Sequence, residues 1–256
     1  MPEKILFVFE GEKTEHVLTK RFISEYFSSR DETIIKVSFC GEIYQLYRQL
    51  KSDPMGIEYV DIFPLLKERD PKLEPYSRDE FSQIYMFFDY DPHASQANIE
   101  SLREMLTVFS EETDKGNLFV SYPMVESLRC CNGNFEEFFS LAVHLTEVPK
   151  FKSFVDLYAR KTKYNDVPKW DLNLWQEVIS LNCIKANHLV NESKQFPDEH
   201  IEQGLILEKQ RIKSEEEQSV YVLNAFPLMF LSHFGRNSEK VLRGLGFSAD
   251  SSDGSH

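Results

Sequence analysis

Residues 5–15 read ILFVFEGEKTE. Ile5 to Phe9 form an unbroken apolar run, and Glu10-Gly11 ends it. A strand with one wet face alternates apolar and polar residues, whereas a continuous run fits a strand covered on both faces, as in a parallel sheet. In open α/β sheets the functional groups gather beyond the carboxyl ends of the strands. The run therefore delivers Glu10 to such an edge, and Gly11 lets the chain turn sharply or approach a ligand.

The pattern continues outward from this strand. Thr14 is placed to cap a helix in which Val17, Leu18, Phe22, Ile23, Tyr26 and Phe27 recur at helical spacing. TIIKVSFC (33–40) reads as a second strand, and EIYQLYRQLKSD (42–53) as a short helix that Pro54 ends. Residues 54–80 are rich in Pro, Asp and Glu and read as an insertion or long connection around a short apolar core, Tyr59 to Leu66. QIYMFFDYD (83–91) is the third strand. A helix is predicted over 97–112, with Ile99, Leu102, Leu106 and Phe109 on one face and Gly116 at its end. NLFVSYP (117–123) makes a fourth strand. Strands alternating with helices imply an α/β fold with a mainly parallel sheet and right-handed crossovers.

Beyond residue 133, FEEFFSLAVHL, FKSFVDLYARK, LNLWQEVISLN and the polar stretch 199–218 read as helices, and VYVLNAFPLMFLSHFG as a core segment. The expected organisation is an α/β domain over 1–132 with an insertion at about 54–80, and a C-terminal helical subdomain over 133–248. The residues 249–256 should be a disordered tail.

Composition narrows the function classes. Hydrophobic content of 41% with 28% charged residues is that of a globular chain, and 256 residues suffice for a large core. No apolar run reaches the roughly 18 residues that a membrane span needs. The amino terminus has no signal-peptide pattern, so a cytoplasmic location without a membrane partner is expected. Cys40, Cys130, Cys131 and Cys183 include no CxxC pair, which favours reduced thiols over structural zinc. A net charge of −13 argues against broad charge-driven binding to nucleic acid, but leaves room for a local basic groove and for acidic groups that gather a divalent cation.

Such groups stand at the end of the third strand. Asp89 and Asp91 are two residues apart, on one face of an extended segment. Two parallel carboxylates repel each other, and Mg2+ or Mn2+ relieves the cost. In a parallel sheet Glu10 shares their edge, and an all-oxygen set without Cys or His favours a hard cation over zinc. For either site taken alone, a solvated turn or helix-start carboxylate is the simpler account. Their joint placement at strand ends favours the metal site.

VFEGEKTE and FFDYD together resemble the Toprim domain, a Rossmann-like α/β fold with a Glu-Gly pair after one strand and Asp-x-Asp after a later one. The EGEKTE form is most similar to the Toprim proteins grouped with RloB-like and OLD-type bacterial defence nucleases. The resemblance covers about residues 3–130, with a longer gap between the motifs than the compact domain has. It implies a metal-dependent nuclease in anti-phage defence. Glu10 would be the general acid/base or a metal ligand, Asp89 and Asp91 would hold Mg2+ or Mn2+, and an ATPase partner is possible. Without a P-loop the chain itself has no Walker mechanism for ATP.

Further candidates surround this centre. Glu126, after the fourth strand, is a metal ligand or a helix-start carboxylate. Lys13 steadies a phosphate or is a solvated turn lysine, and His93 reads first as a turn histidine. The segment 150–169 carries Lys150, Lys152, Arg160, Lys161, Lys163 and Lys169 against two acidic residues, with Phe151, Phe154, Tyr158 and Tyr164 interleaved. That mix suits phosphate contact with base stacking, or a helix with a solvated basic face. The nucleic acid is left open between DNA and RNA, tRNA included. Two rivals remain: a non-catalytic Toprim-like module that binds nucleic acid or a partner protein, and a phosphatase using Asp89 and Asp91.

Overall fold

The computed structural model describes residues 4–27, 33–39, 41–90 and 96–244. Cys40, Asp91, His93 and the tail expected from residue 249 lie outside these ranges. Among the described residues the fold is α/β, with a central sheet in the order β2-β1-β3-β5-β4. Strands β1 (Lys4–Phe9), β2 (Thr33–Ser38), β3 (Phe81–Asp89) and β5 (Gly116–Ser121) are mutually parallel, and the two-residue β4 (Ser110–Glu111) runs antiparallel to β5.

β1 lies between β2 and β3, so Ile5 to Phe9 are fully buried, as their unbroken apolar run requires. β2 pairs with β1 alone and is only half-buried over its first residues. Chain direction across the sheet reverses after β2. Right-handed crossovers then put α1 (Thr14–Tyr26) on one face and α2 (Ile43–Lys51) and α4 (Gln96–Val108) on the other. Side chains agree. Phe27, at the end of α1, packs edge-on against Phe7 with ring centres 5.7 Å apart, and Tyr47 of α2 donates a 2.7 Å hydrogen bond to Glu104 of α4.

The connection after α2 contains a helix of its own. Helix α3 (Ile62–Arg69) starts at Asp61, whose carboxylate accepts the Phe63 N–H, and it buries Ile62, Phe63 and Leu66. The helix expected to reach residue 112 stops at Val108. Phe109 is buried there, and Ser110–Glu111 turn back to pair with Gly116–Asn117. Gly116, at φ 113°, thus opens β5 instead of closing a helix.

The second half is not purely helical. α5 (Phe135–Ser140) ends early, and β6 (Ala142–His144) pairs antiparallel with β7 (Ser219–Tyr221). Val143 and Val220 face each other in that ladder, a non-local pairing that overrides helical periodicity. α6 (Phe151–Ala159), α7 (Leu172–Asn191), α8 (Gln203–Glu217), α9 (Ala225–Phe234) and α10 (Ser238–Leu242) complete it. α9 packs on the sheet through Phe226, 4.6 Å from the ring of Phe87 and 6.0 Å from that of Phe9. One continuous core therefore runs across residue 132. Among the described residues no helix is long and apolar enough to cross a membrane.

Candidate functional site

The reversal of strand order between β1 and β3 opens a crevice at their carboxyl ends, the usual ligand position in such sheets. Glu10 follows β1 and Asp89 ends β3. The Glu10 N–H donates to the Phe87 carbonyl (3.0 Å), which carries the ladder one residue past the strand. The Asp89 N–H donates to Glu10 Oε2 (2.9 Å), so the two acidic residues are directly linked.

Two more carboxylates arrive from elsewhere. The chain leaving β5 forms a 3-10 turn, Val125–Cys130, whose first N–H donates to Asp89 Oδ1 (2.8 Å). That turn buries Glu126. Glu15, in the first turn of α1, is also buried and its Oε1 accepts the Gly11 N–H (3.0 Å). Thr14 does not cap the helix; Lys13 holds the cap position without a side-chain bond, and the Glu15 carboxylate satisfies the loop instead.

The electrostatics follow from this crowding. Burial pushes the Asp89 carboxyl well above its ordinary range, and Glu10, Glu15 and Glu126 push it further; the Val125 N–H opposes them. The counter-charge is Lys152 of α6, whose Nζ lies 2.8 Å from Glu126 Oε1. Glu126 accordingly holds the Lys152 ammonium above its usual value, with Asp156 and Glu15 adding to the effect.

The donor set suits a hard cation, since every converging side chain offers carboxylate oxygen and the field around Asp89 is strongly negative. Among the described residues, no three His, Cys, Asp or Glu side chains stand close enough around one point to hold an ion as they are. Asp91 lies outside the described residues. The thiols do not contribute: Cys130, Cys131 and Cys183 are buried, and burial pushes Cys130 up to about 12.

The basic segment divides. α6 lies against the Val125–Cys130 turn, which brings Lys152 to the acidic edge. Lys150 pairs with Glu147 at 3.6 Å on the surface, and Lys163 pairs with Glu177. Arg160 and Lys161 are exposed beyond α6, and Lys13 is exposed before α1. Phe151 and Tyr164 belong to the core, which removes them from any stacking surface. Phe154, 40% exposed, stacks on Tyr158 with ring centres 5.3 Å apart.

Glu15 is the site residue that the strand-end motifs do not show. Its signal was its position in the first turn of the helix, five residues after Glu10, where an acidic residue is ordinarily a dipole partner.

No family model, no curated protein and no solved structure matches the chain.

Two expected outcomes arise here. A Cβ on Gly11 would lie 3.0 and 3.1 Å from the Glu15 carboxylate oxygens. Gly11→Ala should displace Glu15 from the Gly11 N–H and cost about 1 kcal/mol, read from urea denaturation. The second concerns pH. Because the folded-state pKa of Asp89 is raised, the native state holds a proton that the unfolded state has released. Stability should therefore fall as pH rises from about 4, the unfolded Asp value, toward the raised value. Asp89→Asn should flatten this slope in melting curves recorded across that range.

Proposed function

We propose that this chain is a Toprim-type, Mg2+- or Mn2+-dependent nucleic-acid phosphodiesterase acting in bacterial anti-phage defence. The observation that carries the reading is the gathering of Glu10, Asp89, Glu15 and Glu126 at the β1/β3 crevice, where burial and then the three glutamates push the Asp89 carboxyl well above its ordinary range. The family reading, and with it the defence role and the possible ATPase partner, rests on the resemblance of the two strand-end motifs alone.

Glu10, Asp89 and Glu126, with Asp91, would hold the metal. When bound, it would polarise the phosphate and supply hydroxide for attack on phosphorus. Glu10 Oε2 is oriented by the Asp89 N–H, which suits it to take or return a proton at the crevice. A cation held there would compete with the proton that burial and the neighbouring glutamates favour on Asp89, so cation affinity should rise with pH. Lys152 adds positive charge beside the acids, where a phosphate would meet it.

The test is incubation of the purified protein with labelled DNA, total RNA and tRNA under Mg2+, Mn2+ and EDTA, with Glu10→Gln alongside. Cleavage that requires both metal and Glu10 supports the enzyme and names its substrate. One observation favours the non-catalytic alternative: Glu126 already has Lys152, while Glu10, Asp89 and Glu15 each accept a backbone N–H, so the acids are satisfied by the protein itself. On that reading no metal yields cleavage, and binding of nucleic acid or a partner survives Glu10→Gln.

A further inference from the structure

A second cluster, of opposite sign, stands one strand away from Glu10. In β2, Lys36 and Ser38 are two residues apart and share a face; in α1, His16 and Lys20 are four apart and share a face. His16 Nε2 and Ser38 Oγ, 2.9 Å apart, are hydrogen-bonded, which docks these two faces, and the Lys20 charge acts on Lys36. Lys72 comes from a third element, the turn Pro71–Leu73. Asp70 fastens that turn to the end of β2: its Oδ2 accepts the Ser38 N–H (3.1 Å) and its Oδ1 the Lys72 N–H (3.0 Å). Ser38 pairs with Phe9 in the ladder, and the His16 ring packs 4.9 Å from that of Phe9, the residue before Glu10.

We propose that Lys20, Lys36, Lys72 and His16 form a phosphate-binding subsite that takes the terminal phosphomonoester of a nucleic-acid strand. Among the described residues, three ammonium groups stand with the Asp70 carboxylate, which lies 3.6 Å from Lys72 Nζ, so these four groups carry about +2 in a chain of net charge −13. Burial, then Lys20 and Lys72, pull the half-buried Lys36 below its usual range. Burial, then Lys72 and Lys36, do the same to His16, against Asp70. Like charges held together in this way are costly, and a bound anion removes the cost. A phosphomonoester carries about −1.5 to −2 at neutral pH and matches the site; an internal diester carries half that. The phosphate chemistry stands on this cluster alone, whereas the nucleic-acid carrier rests on the function proposed above.

Inorganic phosphate should be titrated calorimetrically into the protein in EDTA, with the His16 ring resonances followed by NMR. Binding is expected, with His16 shifted, and Lys36→Gln and Lys72→Gln should each weaken it about tenfold. Lys72 is exposed, so its replacement leaves the fold intact. Oligonucleotides with 5′-phosphate, 3′-phosphate or no terminal phosphate are then compared in EDTA. Tighter binding of one phosphorylated end, lost in Lys36→Gln, supports a terminal monoester; equal binding of all three overturns that assignment. An unmoved His16, or phosphate affinity indifferent to both lysines, overturns the subsite itself. Because no arm requires cleavage, failure of the cleavage assay leaves the subsite standing, and failure of phosphate binding leaves the cleavage assay unaffected.

Discussion

If the protein is the metal-dependent nuclease proposed above, Glu10→Gln and Asp89→Asn should each lower its cleavage by about a thousandfold or more while leaving the melting temperature unchanged or higher. Either amide keeps an oxygen that can accept the N–H its carboxylate now accepts, from Asp89 in the first case and Val125 in the second. The loop geometry therefore survives. Glu10→Gln removes a negative charge beside Asp89, and Asp89→Asn removes a carboxyl that ionises only against the repulsion of its neighbours; either would cost the proposed cation site a ligand charge and spare the fold part of that repulsion. A loss of activity with a fall in stability would mean that these acids serve packing. Full activity in both variants would remove the acidic crevice from the chemistry. The pairing of lost activity with retained or raised stability separates a functional cluster from a structural one.

Lys185→Met should destabilise the fold by about 3 kcal/mol. Lys185 lies in α7 with no solvent exposure, and its Nζ donates to the Phe138 carbonyl (2.7 Å) and the Leu141 carbonyl (2.9 Å) where α5 gives way to β6. The ammonium also sits 4.6 Å from the centre of the Phe138 ring. Methionine keeps most of the stem but leaves both carbonyls without that donor in a dry interior. The shift should appear in the urea midpoint with an unchanged slope. Burial pushes the Lys185 pKa down to about 7, while an unfolded lysine titrates near 10.4. Between those values the unfolded chain binds the extra proton, so stability should rise with pH across this window. The methionine variant should lack that rise.

Periodicity was enough for the α/β alternation, because an apolar run, a helical stripe and a strand-ending turn are local features. Ile5 to Phe9 announced a strand buried on both faces, and Glu10 and Asp89 announced their place at its carboxyl edge. Local reading failed at two short strands: Ala142–His144 is a strand only because the distant Ser219–Tyr221 lies beside it, and Ser110–Glu111 turns back on Gly116–Asn117 in a hairpin where a helical stripe runs on to Phe109.

The site divides in the same way. Its first two carboxylates were legible as strand ends. The burial of Glu126 and Glu15 beside them, and the arrival of Lys152 from a helix beyond the β5 turn, depended on which elements the sheet order brings together. Lys185 looks like a solvated helical lysine in NCIKANHL, and His16, Lys20, Lys36 and Lys72 are scattered along the chain. Strand composition and spacing are written in neighbouring residues, but the field around a side chain is set by groups distant in sequence, and only the folded chain decides which of these meet.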